Sequence, residues 1–251
     1  MLGADLAELL GERIPGDHSR KVLADDYAAR YLSRPARPPA PRVLDLGCGA
    51  GASVDLFRSL EPKTRWTGVD IEHSPEVAER TRTDAEFVTF DGEHLPFADA
   101  SFDLVYCKQV LEHVRRPRLV LGEVARVLAP DGWFAGSTSH LEAFHSRSFW
   151  NYTPYGLMAL MEETGLDLLE VRPVIDAFTL VTWRALGTPR SFYRWWARES
   201  PPYRAISLLA RPARWDHRTV NTAKLVLSGQ FAFLARPRPP HSLPAAVAAL
   251  R

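Results

Sequence analysis

The stretch Val43-Leu44-Asp45-Leu46-Gly47-Cys48-Gly49-Ala50-Gly51 joins a short apolar run directly to a glycine-rich turn. The apolar run predicts a buried strand, and glycines at alternate positions let the backbone turn tightly and approach a ligand closely. A helical segment over residues 52–60 follows at once, so its free backbone N–H groups would face whatever lies in the turn. A strand, a glycine turn and a helix in this order form the first unit of a nucleotide-binding α/β domain.

An acidic residue before the first glycine separates two classes of ligand for such a turn. A dinucleotide presents an anionic pyrophosphate, which the carboxylate of Asp45 would repel. S-adenosylmethionine has no phosphate and carries a cationic ammonium and a sulfonium beside its carboxylate, so an acid here suits it. The pattern Gly47-x-Gly49-x-x-Ala52 also fits the looser dinucleotide motif, which keeps a nicotinamide-dependent oxidoreductase as an alternative.

Further acidic residues follow the next two predicted strands. Asp70 ends the second strand about 20 positions after Gly51, where an acid accepts both hydroxyls of a ribose. The third strand leads into the acidic turn Asp91-Gly92-Glu93, whose carboxylate can accept the exocyclic amine of an adenine. A fourth buried strand, a helix over 119–128 and a fifth strand after a proline–glycine corner complete the series.

Four motifs in this order resemble the class I S-adenosylmethionine-dependent methyltransferases, in particular the group that modifies small molecules, lipids and sugars. They are VLDLGCGAG at 43–51, GVDI at 68–71, DGEHLPFADASFDLVYCKQVLEHV at 91–114 and LAPDGWF at 128–134. The motifs cover residues 42–136, and weaker resemblance extends to about residue 182. The resemblance implies a Rossmann-like α/β fold, with a seven-stranded, mostly parallel sheet and helices on both of its faces.

The same resemblance implies a role for each matching position. The glycine loop would hold the methionine part of the cofactor, Asp70 the ribose, Ile71 the adenine face, and Asp91 the adenine amine. Lys108 and Gln109 would lie under the reactive sulfur, although Lys108 departs from the aromatic or small residue usual at that position. The expected cofactor-binding residues are Asp45, Gly47, Cys48, Gly49, Gly51, Asp70, Ile71, Asp91, Gly92, Glu93, Lys108, Gln109 and His113.

The chain outside the motifs adds an arm and an insertion to the core. We expect an N-terminal helical arm and proline-rich linker at 1–41, a cofactor-binding core at 42–182, a helical cap insertion at 183–228, the final strand at 229–236 and a mobile tail at 237–251. The arm would fold over the cofactor cleft, where Tyr27 and Arg20 could reach the cofactor carboxylate, or else pack as a surface helix. The cap is expected because roughly fifty residues, rich in Trp, Tyr and Arg, separate the last two strands.

Composition narrows the class of protein. Lys and Arg total 31 against 30 Asp and Glu, so nothing indicates a nucleic-acid partner. No stretch approaches the roughly 20 apolar residues of a membrane span, and the N-terminus lacks the features of a secretion signal, which favours a cytoplasmic protein.

The two cysteines, Cys48 and Cys107, are interpreted as small buried residues, and the spacing of candidate ligands predicts no metal site. A homodimer is left open.

The chemistry expected of the site is modest. Methyl transfer from a sulfonium mainly requires alignment of the acceptor and exclusion of water, with a base for the proton of a hydroxyl or amine. His140 follows the fifth strand and is the first candidate for that base, and His145 is the second. Residues 137–152 are expected to form part of the substrate wall, whereas Glu112 is interpreted as a solvated helix residue.

These features predict O- or N-methylation of a small molecule such as a sugar, a glycolipid or a secondary metabolite. One alternative is an enzyme of the same fold with non-methylating chemistry, such as cyclisation, decarboxylation or elimination. Another is a non-catalytic partner subunit, against which the intact glycine loop and the ribose acid argue. The oxidoreductase alternative is disfavoured by Asp45 and by the acidic turn at Asp91.

Overall fold

A computed structural model describes residues 3–143 and 145–239 of the chain. The described strands form one seven-stranded sheet in the order β3-β2-β1-β4-β5-β7-β6. They are β1 (Arg42–Leu46), β2 (Arg65–Ile71), β3 (Glu86–Phe90), β4 (Phe102–Lys108), β5 (Leu128–Ser139), β6 (Leu166–Asp176) and β7 (Ser228–Pro237). Strands β1 to β5 pair in parallel, and β7 lies antiparallel between β5 and β6. The predicted seven-stranded, mostly parallel sheet is therefore confirmed.

Helices cover both faces of this sheet. The helices are α1 (Ala4–Leu10), α2 (Ala24–Leu32), α3 (Ser53–Leu60), α4 (Pro75–Ala78), α5 (Pro117–Val127), α6 (Pro154–Glu163), α7 (Ala177–Ala185), α8 (Arg194–Ala197), α9 (Pro201–Ala210) and α10 (His217–Val226). Side chains alternate along a strand, so Val43 of β1 joins one apolar cluster and Leu44 the other. The cluster of Leu44 includes residues of α1, α5 and α6, and that of Val43 includes residues of α2, α3 and α7. Burial on both faces explains the continuous apolar runs of the central strands.

The N-terminal arm packs on the sheet through α2. Tyr27 is fully buried, and its hydroxyl donates to Glu170 of β6 at 3.2 Å. Arg20 precedes the helix and is exposed. Tyr27 therefore faces the sheet and not the cofactor loop, which favours the second of the two alternatives for the arm, a helix that packs on the domain.

The insertion between β6 and β7 begins earlier than the sequence pattern indicates. Strand β6 continues to Asp176, and α7 starts at the next residue because the Asp176 side chain accepts the backbone N–H of Thr179 at 2.8 Å. Helices α7 to α10 thus occupy the connection from residue 177, not 183. The final strand is Ser228–Pro237, one residue longer at each end than expected.

The start of the expected tail is held against β6. Arg238 donates its backbone N–H to Gly165 at 2.8 Å, and its side chain pairs with Asp167 at 2.8 Å. Residues 240–251 of that tail lie outside the described residues. Within the described ranges, no helix combines the length and the apolar character needed to cross a membrane.

Candidate active site

The glycine loop after β1 has the conformation that its sequence predicts. Gly47, Gly49 and Gly51 have φ values of +73°, +51° and +80°, a region that residues with a Cβ rarely adopt. The backbone N–H of Gly47 donates to the carbonyl of Val69 at 2.8 Å, which ties the loop to β2. A Cβ on Gly47 would lie 2.4 Å from Val110, so the loop also runs tightly against the segment after β4.

A cleft of about 240 Å³ opens beside this loop, at the carboxyl ends of β1 and β4. It is lined by Asp25, Asp45, Gly47, Cys48, Ala52, Ser53, Leu56, Tyr106 and Lys108. Four of the predicted cofactor residues are therefore brought together in one cavity. A larger recess of about 510 Å³ lies between the C-terminal half of α2 and the end of α3, and none of these predicted residues lines it.

Asp45 is an unusual acid because it is buried at the floor of the cleft. Burial raises its pKa to about 7, although the hydroxyl of Ser53 donates to it and opposes the shift. The indole N–H of Trp66 in turn donates to Ser53 at 2.9 Å, which holds that hydroxyl in place. Such a carboxyl becomes fully charged when a cation settles beside it.

The arm contributes a second carboxylate, which sequence reasoning missed. Asp25 at the start of α2 accepts the hydroxyl of Tyr106 and lies 3.1 Å from Nζ of Lys108. The residue that the arm brings to the cleft is thus Asp25, whereas Tyr27 faces the sheet. Asp25 and Lys108 are 83 positions apart, and nothing in the local pattern connects them.

The acid at the end of β2 braces the glycine loop. Asp70 accepts the backbone N–H of Gly49 through Oδ2 at 2.7 Å and that of Ile71 through Oδ1 at 2.8 Å. Burial raises the pKa of this carboxyl, and the two backbone donors oppose the shift. Each oxygen has one partner and keeps a lone pair for a further donor. The side chain of Ile71 is 41% exposed and open to a ligand.

The acidic turn after β3 lies next to Ile71. A Cβ on Gly92, whose φ is +84°, would lie 3.5 Å from the Ile71 side chain. Asp91 accepts the backbone N–H groups of Glu93 and His94, and these bonds with that from the His94 ring lower its pKa to about 2. Glu93 is paired instead with Arg116 at 3.2 Å. Asp91 is therefore an ionised acceptor in the turn.

Gln109 joins the ends of β4 and β5. Its φ is +56°, an uncommon value for a residue with a side chain. The backbone N–H of Gln109 donates to the carbonyl of Ser137 at 2.9 Å. Its side-chain amide oxygen accepts the Ser137 hydroxyl at 3.1 Å, and the amide nitrogen donates to Glu112 Oε1 at 3.0 Å. The strained backbone of Gln109 lies at the end of β4, beside the predicted cofactor site. Backbone strain of this kind often occurs at functional sites.

A buried polar network follows β5. Glu112 is fully buried, accepts the hydroxyl of Thr138 at 3.0 Å and lies 3.1 Å from Oγ of Ser139, and its burial raises its pKa to about 7. The interpretation of Glu112 as a solvated helix residue is therefore wrong. The Ser139 hydroxyl also lies 2.7 Å from Glu142, which pairs with Arg184 of α7 at 3.0 Å. The network links the connection after β5 to the inserted helices.

The two predicted catalytic histidines lie in different environments. Nδ1 of His140 is 2.8 Å from the carbonyl of Tyr152, so this nitrogen carries the hydrogen and leaves Nε2 as a base. Burial lowers the pKa of His140, which favours the neutral ring. The ring of His145 packs edge-on against that of His113, with 5.2 Å between their centroids. The expected cofactor residue His113 therefore pairs with the expected catalytic residue His145.

Comparison with known proteins identifies the family. A family model described as a methyltransferase domain matches residues 44–136. O-methyltransferase rstn1 of Aspergillus nomiae is 32% identical over 154 residues, which are 54% of this chain and 68% of that protein. The malonyl-[acyl-carrier protein] O-methyltransferase of Halorhodospira halophila is 31% identical over 208 residues, 75% of this chain and 70% of that protein. The match to methyltransferase GfsG of Streptomyces halstedii, at 31% identity, spans 54% of this chain and only 56% of that protein.

Solved structures share the fold at lower identity. The S-adenosylmethionine-dependent methyltransferase of Mesorhizobium loti superposes with a TM-score of 0.51 at 18% identity, covering 85% of this chain and 97% of that one. The [4+2]-cyclase SpnF superposes with a TM-score of 0.55 at 17% identity, covering 93% and 94%. These superpositions show the fold. The sequence matches to the two O-methyltransferases show that the chain is an enzyme of the class I S-adenosylmethionine-dependent methyltransferase family.

Proposed function

We propose that this enzyme binds S-adenosylmethionine along the ends of β1, β2 and β3 and transfers its methyl group to an oxygen or nitrogen of a small molecule. The observation that carries the proposal is the cleft of about 240 Å³ beside the glycine loop, which two carboxylates and one ammonium group line. When bound, S-adenosylmethionine supplies a methyl group already activated by its sulfonium.

The charges of the cleft match the methionine part of this cofactor. Asp45 and Asp25 can surround its ammonium, and Lys108 can turn from Asp25 to the cofactor carboxylate. A cation beside Asp45 stabilises the ionised carboxyl and lowers its pKa from about 7. The pyrophosphate of a dinucleotide would instead meet two acids, which disfavours a nicotinamide cofactor.

The nucleoside part fits the adjacent strand ends. Asp70 has a lone pair free on each oxygen for the two ribose hydroxyls, and the exposed Ile71 offers an apolar surface to the adenine. Asp91, an ionised acceptor next to Gly92, can take the exocyclic amine. Strands β2 and β3 are paired neighbours, so these groups share one edge of the sheet.

The acceptor would enter from the β5 side. The connection after β5 carries His140 and the buried network of Ser139 and Glu142, and Arg184 joins it to α7. We infer a small-molecule acceptor methylated on oxygen or nitrogen, such as a sugar, a glycolipid or a secondary metabolite. Support comes from relatives that are themselves named O-methyltransferases.

The proposal is tested by calorimetric titration with S-adenosylmethionine, S-adenosylhomocysteine and NAD in parallel. We expect micromolar binding of the first two and none of NAD, followed by methyl transfer in a screen of hydroxyl and amine acceptors. Binding of NAD alone would overturn the cofactor assignment. Cofactor binding without transfer to any acceptor would favour non-methylating chemistry on the same fold.

His140 is expected to accept the proton of the acceptor. Removing a general base slows turnover by about 100-fold or more, so we expect His140→Ala to lower kcat by that amount. Affinity for S-adenosylmethionine should change by less than about twofold, because the ring bonds to Tyr152 and not to the glycine loop. The acid limb of the wild-type pH–rate profile should lie below pH 6.5, since burial lowers the pKa of His140 and only the neutral ring is a base.

Two further variants separate a base from a structural role. Asparagine can keep the donor that reaches the Tyr152 carbonyl but cannot accept a proton, so His140→Asn should remain as slow as His140→Ala. Full recovery by asparagine would make His140 a positioning residue. His217 is exposed at the start of α10, and His217→Ala should behave as the wild type.

A further inference from the structure

Three metal-ligating side chains meet between the connections that follow β4 and β5. Glu112 and His113 lie in the turn after β4, and His145 lies in the loop after β5. One ligand atom of each residue lies within 4.8 Å of the ligand atoms of the other two. The spacing along the chain predicts no such group, because His145 is far from the first two residues in sequence.

Each histidine of this group has one ring nitrogen without a hydrogen bond among the described residues. Nδ1 of His113 and Nδ1 of His145 are buried from solvent, and neither makes a hydrogen bond in the described part of the chain. Oε1 of Glu142 lies 3.4 Å from Nδ1 of His145. A buried polar atom without a hydrogen bond costs about 1–3 kcal/mol. Two such nitrogens on adjoining rings, close to one buried carboxylate, are groups that one shared ligand could satisfy.

The carboxylate is oriented for a ligand. The Thr138 hydroxyl donates to Oε2 of Glu112 and the Gln109 amide donates to Oε1, which fixes the plane of the carboxyl and leaves a lone pair on Oε2. Donors of this kind orient the carboxylates of metal sites. The side chain is also fully buried, so it has no competing water from bulk solvent.

The loop that carries His145 is anchored to the same turn. The backbone N–H groups of Phe149 and Trp150 donate to the carbonyl of Glu112 at 2.7 and 3.2 Å. Ser146 and Arg147 both have positive φ, at +40° and +62°, so the chain holds a strained turn directly after His145. These constraints keep the two imidazole rings against one another.

We propose that Glu112, His113 and His145 bind one divalent transition-metal ion, with Zn²⁺ as the first candidate. Two imidazole nitrogens and a carboxylate oxygen form a donor set typical of such ions. Zinc bonds of about 2.0–2.1 Å in a tetrahedral site place ligand atoms about 3.4 Å apart, so binding would draw the three groups together by about an ångström. Three protein ligands leave a coordination position open.

The position of the three residues in the fold indicates a role for the bound ion in activating the acceptor. It lies beyond the carboxyl ends of β4 and β5, on the side where the acceptor would enter. An acceptor hydroxyl bound at the open position would have its pKa lowered by the ion. This role rests on the proposed methyl transfer, whereas binding of the ion itself does not.

The test is titration of the chelator-treated protein with Zn²⁺ alone, followed by Co²⁺ as a spectroscopic probe. We expect one ion per chain, a visible Co²⁺ spectrum of nitrogen and oxygen ligation, and a higher melting temperature in Zn²⁺. His113→Ala and His145→Ala should each weaken Zn²⁺ binding at least tenfold, and the double variant should lose it. His73 is exposed and lies 3.9 Å from Glu72, so His73→Ala is a matched control that should bind normally.

The failure of this proposal and that of the cofactor assignment can be told apart. Asp70→Ala should bind Zn²⁺ as the wild type does, because Asp70 belongs to the end of β2. If the wild type binds no Zn²⁺ at micromolar concentrations, the metal site is wrong whatever the cofactor result. Binding and a melting shift that persist in a folded double variant would also overturn it.

Discussion

Replacement of Asp70 by alanine is expected to weaken S-adenosylmethionine binding by about 100-fold or more. Two hydrogen bonds from ribose hydroxyls to a carboxylate contribute about 1.5–3 kcal/mol each, which is a factor of at least about 100 in Kd. The substitution also removes the acceptor of the Gly49 backbone N–H, so the glycine loop loses its brace at the same time. Calorimetric titration with S-adenosylmethionine and S-adenosylhomocysteine measures the effect.

Two variants make the Asp70 result specific. Asp70→Asn keeps one acceptor oxygen without the charge and should give an intermediate affinity. Glu72 lies two residues further along and its side chain is 77% exposed, so Glu72→Ala should bind as the wild type. An unchanged Kd for a folded Asp70→Ala protein would remove Asp70 from the cofactor site.

Alanine at Gly47 is expected to abolish cofactor binding and to destabilise the fold. A left-handed backbone costs a residue with a Cβ about 1–2 kcal/mol, and here φ is +73°. The new Cβ would also lie 2.4 Å from a methyl group of Val110, so one of the two segments must move. Denaturant unfolding should show a loss of at least about 2 kcal/mol, and titration should show no saturable binding of S-adenosylmethionine.

A second glycine serves as the control for Gly47. Gly122 lies within α5, and a Cβ there would meet no atom within 4 Å. Gly122→Ala should therefore leave cofactor binding unchanged and raise stability by about 0.5–1 kcal/mol. Adding Val110→Ala to Gly47→Ala relieves the clash but not the backbone strain, so only part of the stability should return. Wild-type binding by Gly47→Ala alone would show that the loop does not contact the cofactor.

The sequence predicts those parts of the fold that depend on residues close together in the chain. The apolar run before Gly47 specifies a buried strand, and the glycines after it specify a turn, because both depend on the residue itself and its neighbours. The acids at the ends of β2 and β3 could be located for the same reason. The boundary between β6 and α7 differs from the sequence prediction because the side chain of Asp176 caps α7 directly after the strand.

The arm illustrates what a linear pattern leaves open. Sequence reasoning selected Tyr27, whereas the structure places Asp25 in the cleft. Residues two positions apart on a helix point in nearly opposite directions, so one of the two must face away from the cleft. Which of them does so depends on how α2 packs on the sheet, where the larger and more apolar tyrosine becomes buried.

By itself, the sequence determined the family, the seven-stranded sheet and the positions of Asp45, Asp70 and Asp91, because short motifs encode strand ends and turns. Only the tertiary structure decided that Asp25 joins Lys108 and that Glu112 and His113 meet His145. Parallel strands are joined by long crossovers, so the groups that share one edge of the sheet come from distant parts of the chain. Their meeting depends on strand order and packing, which no local pattern of residues records.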